Sequence, residues 1–152
     1  MAVAGCALAV PAAFVIAIPA RTGSSKETWV PTVPLDALQE GVPKRVQIVS
    51  DRTDGWTRET HVELGSAWLV RRGGNVTAFS SVCPHLGCAV NAEPNGTYSC
   101  PCHTSSFAAD GAPVSGPSPR GLDALTTRID GGVVVVDFRR FKVGIRDRIA
   151  LG

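Results

Sequence analysis

Two short stretches, "SVCPHLGCAV" at residues 81–90 and "SCPCHTSSF" at residues 99–107, limit the folds open to this chain. The chain has five cysteines and three histidines, and it places four of the first and two of the second between Cys83 and His103. Cys83 and His85 stand close together in the first stretch, Cys100 and His103 in the second, and each stretch holds one further cysteine, Cys88 or Cys102. Two thiolates and two imidazoles can hold a tetrahedral zinc, or a binuclear iron–sulfur cluster with both Cys on one iron and both His on the other. Either site requires the two stretches to be neighbouring loops. A bridge between the remaining cysteines would clamp such loops, closing about 15 residues for ~3 kcal/mol by the chain-entropy estimate. It would also need an oxidising compartment.

The rest of the chain must supply a scaffold, and its length allows one. With 152 residues, 44% apolar and 18% charged, there is material for one globular domain and an appendage. A net charge of +2 is too small for a nucleic-acid binder built on a basic face, so no nucleic-acid partner is expected. The appendage is at the front. Residues 2–20, "AVAGCALAVPAAFVIAIPA", carry no charge, and at about 1.5 Å per residue a helix of that length reaches roughly 28 Å, near the ~30 Å hydrocarbon core of a bilayer. Residues 1–21 are therefore expected to form a single-pass transmembrane anchor, with an export signal or a buried core helix as the alternatives. Pro11 is tolerated in such a span, and Cys6 reads as a small apolar residue facing lipid or a neighbouring helix. Arg21 and Lys26 follow the apolar run and no basic residue precedes it. Taken literally, the positive-inside rule would keep the rest of the chain in the cytoplasm; our reading is that a basic leader lies upstream of the given start.

Residues 22–45 are read as a linker or hinge and a first strand, because Pro31, Pro34 and Pro43 favour extended segments and turns. From residue 46 to 152 the signals are those of β structure. "AWLVRR" and "VTAFSS" flank a Gly-rich turn, "GTYSC" follows the turn "EPNG", and "LTTRI" and "VVVVDF" flank "DGG". The valines from Val133 to Val136 suit a strand buried on both faces. Only "LDALQEG" carries a short helical signal. The domain is expected to be all-β and antiparallel.

The pair "CPHLGC" and "CPCHTS" closely resembles the two cluster-binding boxes of Rieske iron–sulfur proteins, in the disulfide-containing branch found in cytochrome bc complexes. The segment "GAPVSGPSPRGL" resembles that family's Pro-rich loop over the cluster. The resemblance implies a Rieske-type antiparallel β domain over 46–152, a cluster-binding subdomain at about 81–119, and one [2Fe-2S] cluster. It implies Cys83 and Cys100 on one iron, His85 and His103 on the other, and a Cys88–Cys102 disulfide. Imidazoles in place of thiolates make the cluster less negative and easier to reduce, and each can carry a proton with the electron. By the resemblance, His85 and His103 form the quinol-facing edge, Ser105 donates a hydrogen bond to a bridging sulfide, and Pro117 lies on the covering loop.

One departure bears on the potential. Phe107 stands where the family usually has a tyrosine that bonds a ligand sulfur, and losing that bond disfavours the reduced cluster by ~60 mV, a direction suited to menaquinol. Pro84 and Thr104 also replace commoner residues of the boxes. The functional expectation is the electron-transfer subunit of a bacterial membrane quinol–cytochrome c oxidoreductase, taking an electron and a proton from menaquinol. Its implied partners are a cytochrome b and a c-type cytochrome in a dimeric complex, with the domain on the periplasmic side of the cytoplasmic membrane. The alternative is the Rieske small subunit of an arsenite-oxidase-type molybdoenzyme, acting as an electron relay. Elsewhere His61 reads as a surface strand residue, Trp29, Trp56 and Trp68 as core or interface packing, Tyr98 as packing beneath the second box, and the basic tail from Phe138 as a solvated end.

Overall fold

The computed structural model of the chain describes residues 28–151. Its strands are β1 (Trp29–Pro34), β2 (Lys44–Asp54), β3 (Thr57–Arg72), β4 (Asn75–Ser80), β5 (Asn91–Ala92), β6 (Tyr98–Ser99), β7 (Ser106–Phe107), β8 (Pro113–Ser115), β9 (Ala124–Asp130), β10 (Val133–Asp137), β11 (Arg140–Phe141) and β12 (Ala150–Leu151). The helical signal of "LDALQEG" is realised as a single 3-10 turn, Leu35–Ala37. The fold is thus all-β with almost no helix, as the sequence indicates.

Six strands form one antiparallel sheet in the order β1-β10-β9-β4-β3-β2. Its two edges, β1 and β2, approach each other, so the sheet curls around its own core. Period-two patterning aims the side chains: Val46 and Ile48 are buried while Gln47 between them is exposed. β10 lies between β1 and β9, and Val134, Val135 and Val136 are all buried, so both faces of this strand are covered. The turn from β9 uses Gly131 and Gly132, both at positive φ, the geometry that matches the twist of a two-residue hairpin. Pro31 is tolerated because β1 is an edge strand and lacks a ladder donor there at little loss. Val30, Leu38, Val46, Ile48, Leu69 and Val134 belong to one continuous apolar cluster.

Residues 28–45 are built into this sheet, since Val30 and Leu38 are buried in its core. Residues 22–27 of the expected linker or hinge, and the anchor expected at 1–21, lie outside the described residues. Among the described residues no helix is long and apolar enough to cross a membrane. The β2–β3 hairpin runs past the core, and residues 51–61 are all exposed, which is why the sequence there shows no apolar alternation. Trp56 sits at its tip, fully exposed, so of the two readings given for it, core or interface packing, the core one is corrected: the β2–β3 tip lies beyond the apolar cluster of the sheet. His61 is an exposed strand residue as expected, with its N–H donating to Asp51 Oδ1 at 3.1 Å.

Between β4 and β9 the chain leaves the sheet to build a small lobe, and the neck is closed by the Ser80 N–H donating to the Asp123 carbonyl at 2.8 Å. The lobe contains the four-stranded sheet β5-β6-β7-β8, whose strands are two or three residues long. It has its own core of Phe79, Cys83, Val90, Tyr98, Cys100, Phe107 and Leu122. The lobe takes in residues 81–119, the stretch read above as a cluster-binding subdomain. The tail beyond β10 is not a solvated end: β11 pairs with β12 and the segment folds back onto the lobe.

Candidate metal centre

Each box is a tight turn closed by its own backbone. In the first, the Cys83 N–H donates to the Cys88 carbonyl at 2.7 Å and the Gly87 N–H to the Cys83 carbonyl at 3.0 Å. In the second, the Cys100 N–H donates to the Ser105 carbonyl at 2.8 Å. Thr104 takes φ 59° to make that turn, a left-handed conformation that a β-branched residue rarely adopts.

A disulfide joins Cys88 to Cys102, with 6.5 Å between their Cα atoms, and locks the two turns side by side. The sulfurs of Cys88, Cys100 and Cys102 all lie within 4.8 Å of one another. Two of these are bonded to each other and have no thiolate to offer. Among the described residues the free thiols are Cys83 and Cys100, both buried. Burial pushes the Cys83 thiol up, while the His85 backbone N–H, the largest opposing influence, and the Ser105 hydroxyl stabilise its thiolate. The two thiols also contact each other, which raises Cys83 further.

The imidazoles complete the set. The rings of His85 and His103 are 4.8 Å apart and perpendicular, the first half-buried and the second exposed. His85 Nδ1 is buried with no hydrogen-bond partner among the described residues. A buried orphan of this kind is costly in a folded protein, and beside two free thiols it fits a metal ligand. The donor set, two sulfurs and two imidazoles, suits the mixed coordination of a Rieske centre.

The Pro-rich segment covers the second box. The Ser118 N–H donates to Ser105 Oγ at 3.1 Å. Gly116 runs so close that a Cβ there would lie 2.4 Å from Ser105 Cα. Only glycine permits that approach. Pro117, between these two contacts, is exposed. Phe107 is fully buried in the lobe core, and Tyr98 packs beneath the second box against Phe79 and Trp68, with ring centroids 5.8 and 6.1 Å away. Trp68, partly buried, donates from its indole N–H to the Val90 carbonyl at 3.1 Å. The Tyr98 hydroxyl is buried without a partner, and burial raises its pKa.

Sequence reasoning missed the ion pair of Arg120 with Asp123, 2.8 Å apart and nearly fully buried. Its only trace in the sequence is "RGLD" directly after the Pro-rich loop.

The chain is 41% identical over 102 residues to the cytochrome b6-f complex iron-sulfur subunit of Chlorobaculum tepidum, covering 61% of this chain and 56% of that protein. It is 33% identical over 106 residues to the menaquinol:cytochrome c reductase iron-sulfur subunit of Bacillus subtilis, covering 66% of this chain and 61% of that one. The chain thus spans little more than half the length of these curated relatives. Among solved structures it is similar to the plasma membrane Rieske protein of Synechocystis, with 28% identity, a TM-score of 0.45, and coverage of 60% of this chain and 86% of the other. The profile of the Rieske [2Fe-2S] domain matches residues 28–127. Because that match takes in both boxes and the strands that carry them, the chain belongs to the Rieske [2Fe-2S] domain family.

Proposed function

We propose that this chain is the electron-transfer subunit of a bacterial membrane quinol–cytochrome c oxidoreductase and that its electron donor is menaquinol. The observation that carries the reading is the orphaned His85 Nδ1 beside two free buried thiols, with the His103 ring 4.8 Å away. In this reading Cys83 and Cys100 hold one iron and His85 and His103 the other. The bound cluster supplies a one-electron couple, in a family range of about −150 to +300 mV. The protein supplies the rest. The partly exposed imidazoles offer a hydrogen-bonding edge to a quinol hydroxyl and can hold its proton, and Leu86 and Val82, both exposed, offer apolar contact beside that edge. The His85 backbone N–H and the Ser105 hydroxyl both favour the negatively charged form of the Cys83 sulfur.

Residues 1–21 are proposed to anchor the chain in the cytoplasmic membrane, residues 22–27 to act as the hinge, and the described domain to lie on the periplasmic side. An oxidising compartment suits the Cys88–Cys102 disulfide. The proposed partners are a cytochrome b and a c-type cytochrome of a dimeric complex. The choice of menaquinol rests on Phe107 and on the name carried by the Bacillus subtilis relative. The test is reduction of the purified, oxidised chain by menaquinol and ubiquinol analogues, followed by electron paramagnetic resonance. Faster reduction by the menaquinol analogue is expected. A chain that shows a Rieske spectrum with dithionite but is reduced by neither quinol overturns the reading.

A further inference from the structure

The segment beyond β10 lies outside the matched family region, which ends at residue 127, and yet it touches the first box. It begins where the Phe138 N–H donates to the Thr28 carbonyl at 2.9 Å. It then forms a hairpin, β11 against β12, extended by the Lys142 N–H donating to the Ile149 carbonyl at 2.9 Å. At the tip of this hairpin the Gly144 N–H donates to the Pro84 carbonyl at 2.8 Å. The arm is pinned from the other side by Arg120. Its guanidinium donates to the Ile145 carbonyl at 2.6 Å and the Lys142 carbonyl at 2.9 Å, while Asp123 holds it at 3.0 and 2.8 Å.

The Pro84–His85 peptide is thereby held at its carbonyl, which accepts from Gly144, and its N–H counters the rise that burial imposes on the Cys83 thiol. A trans peptide is rigid and planar, with C=O and N–H pointing in opposite directions, so fixing the carbonyl aims the N–H. The backbone bonds of the box itself hold Cys83, Gly87 and Cys88, and the hydrogen bond recorded for the Pro84 carbonyl comes from the arm. Hydrogen bonds to ligand sulfurs are among the factors that set iron–sulfur potentials. We propose that the C-terminal arm, pinned by Arg120, is a clip that orients the Pro84–His85 peptide so that its N–H bonds the Cys83 sulfur, making Arg120 and Gly144 positioning residues for the cluster.

The inference rests on Cys83 and His85 as cluster ligands and does not depend on quinol as the donor. Its test uses the full, cluster-loaded chain and the variants Arg120→Met, Arg120→Lys and Gly144→Pro, compared by redox titration and by the paramagnetic resonance spectrum of the reduced state. Gly144 sits at φ 77°, which proline cannot adopt, so Gly144→Ala is added as a control that strains the same turn but keeps the N–H, and an equal shift there overturns the clip. Gly144→Pro deletes the donor without changing any charge. It is expected to keep the cluster, shift the spectrum, and make reduction about tenfold less favourable, which is about 59 mV for one electron. Arg120→Met is expected to do the same, and Arg120→Lys to recover part of the loss. If Arg120→Met fails to load, Gly144→Pro decides alone. A shift in Arg120→Met with none in Gly144→Pro would mean that only the charge acts, which overturns the clip. A wild-type spectrum reproduced by both variants also overturns it, whereas a wild-type chain with no Rieske spectrum overturns the centre itself.

Discussion

The curled sheet and the small lobe inserted into it are built on different physics. In the sheet, β2, β3, β9 and β10 are 5 to 16 residues long, and Val30, Ile48, Ala67, Leu69, Val134 and Val136 are essentially inaccessible to solvent. Burying that apolar surface stabilises it, at roughly 25 cal/mol per Å². The lobe has strands of two or three residues, too short to persist on ladder bonds, and two of its core side chains are the Cys83 and Cys100 thiols. It is held by cross-links and polar ties: the Cys88–Cys102 disulfide, Ser118 on Ser105, and Arg120 on Asp123. A region that must offer ligands to a metal cannot fill its interior with hydrocarbon, so its order comes from specific bonds.

That contrast can be tested directly, beginning with the centre. His85→Ala and His103→Ala are each expected to abolish the Rieske resonance signal and to raise amide exchange throughout residues 83–107, with β9 and β10 still protected. Exchange mapped by mass spectrometry checks this, and equal loss of protection in both regions would dissolve the distinction. Leu69→Ala probes the sheet. Leu69 is fully buried, so urea unfolding should show a loss of about 2–5 kcal/mol, with the lobe unfolding alongside because both of its ends are rooted in the sheet. Replacing Cys88 and Cys102 together by Ser should loosen the lobe by about 3 kcal/mol, read as faster exchange in the two boxes with the protection of β10 unchanged.

Smaller effects are expected inside the lobe core. Phe107→Tyr places a hydroxyl near the ligand sulfurs, and one charge-assisted hydrogen bond of ~1.5 kcal/mol should raise the one-electron midpoint by roughly 60 mV; an unchanged redox titration would remove Phe107 from the argument for menaquinol. Tyr98→Phe removes a buried hydroxyl without a partner. It should stabilise the lobe by about 1 kcal/mol, measured by thermal unfolding with the cluster bound, and a destabilised variant would mean that the hydroxyl has a partner in solution.

Much of this was legible in the residues. Spacing paired Cys83 with His85 and Cys100 with His103, because residues of one tight turn lie within a few consecutive positions, while their assignment as ligands came from the family resemblance and is part of the proposal above. The β3–β4 and β9–β10 hairpins were legible for the same reason, each having a glycine turn between apolar runs. The exposed half of the β2–β3 hairpin was not, since residues 51–61 bury nothing and so carry no periodic signal. Nor was the exposure of Trp56, because an aromatic side chain does not record whether any neighbour will reach it.

What the sequence determined by itself is the chemistry of the two boxes and the β character of the scaffold, both fixed by short-range constraints on backbone and ligand type. What only the tertiary structure decided is which distant segments meet those boxes. The basic tail reads as a solvated end, yet it reaches Pro84, more than fifty residues away along the chain, through a backbone N–H, and Arg120 through two carbonyls, groups that every sequence contains. Backbone groups are the same at each position, so only the folded path reveals which of them come within hydrogen-bonding distance.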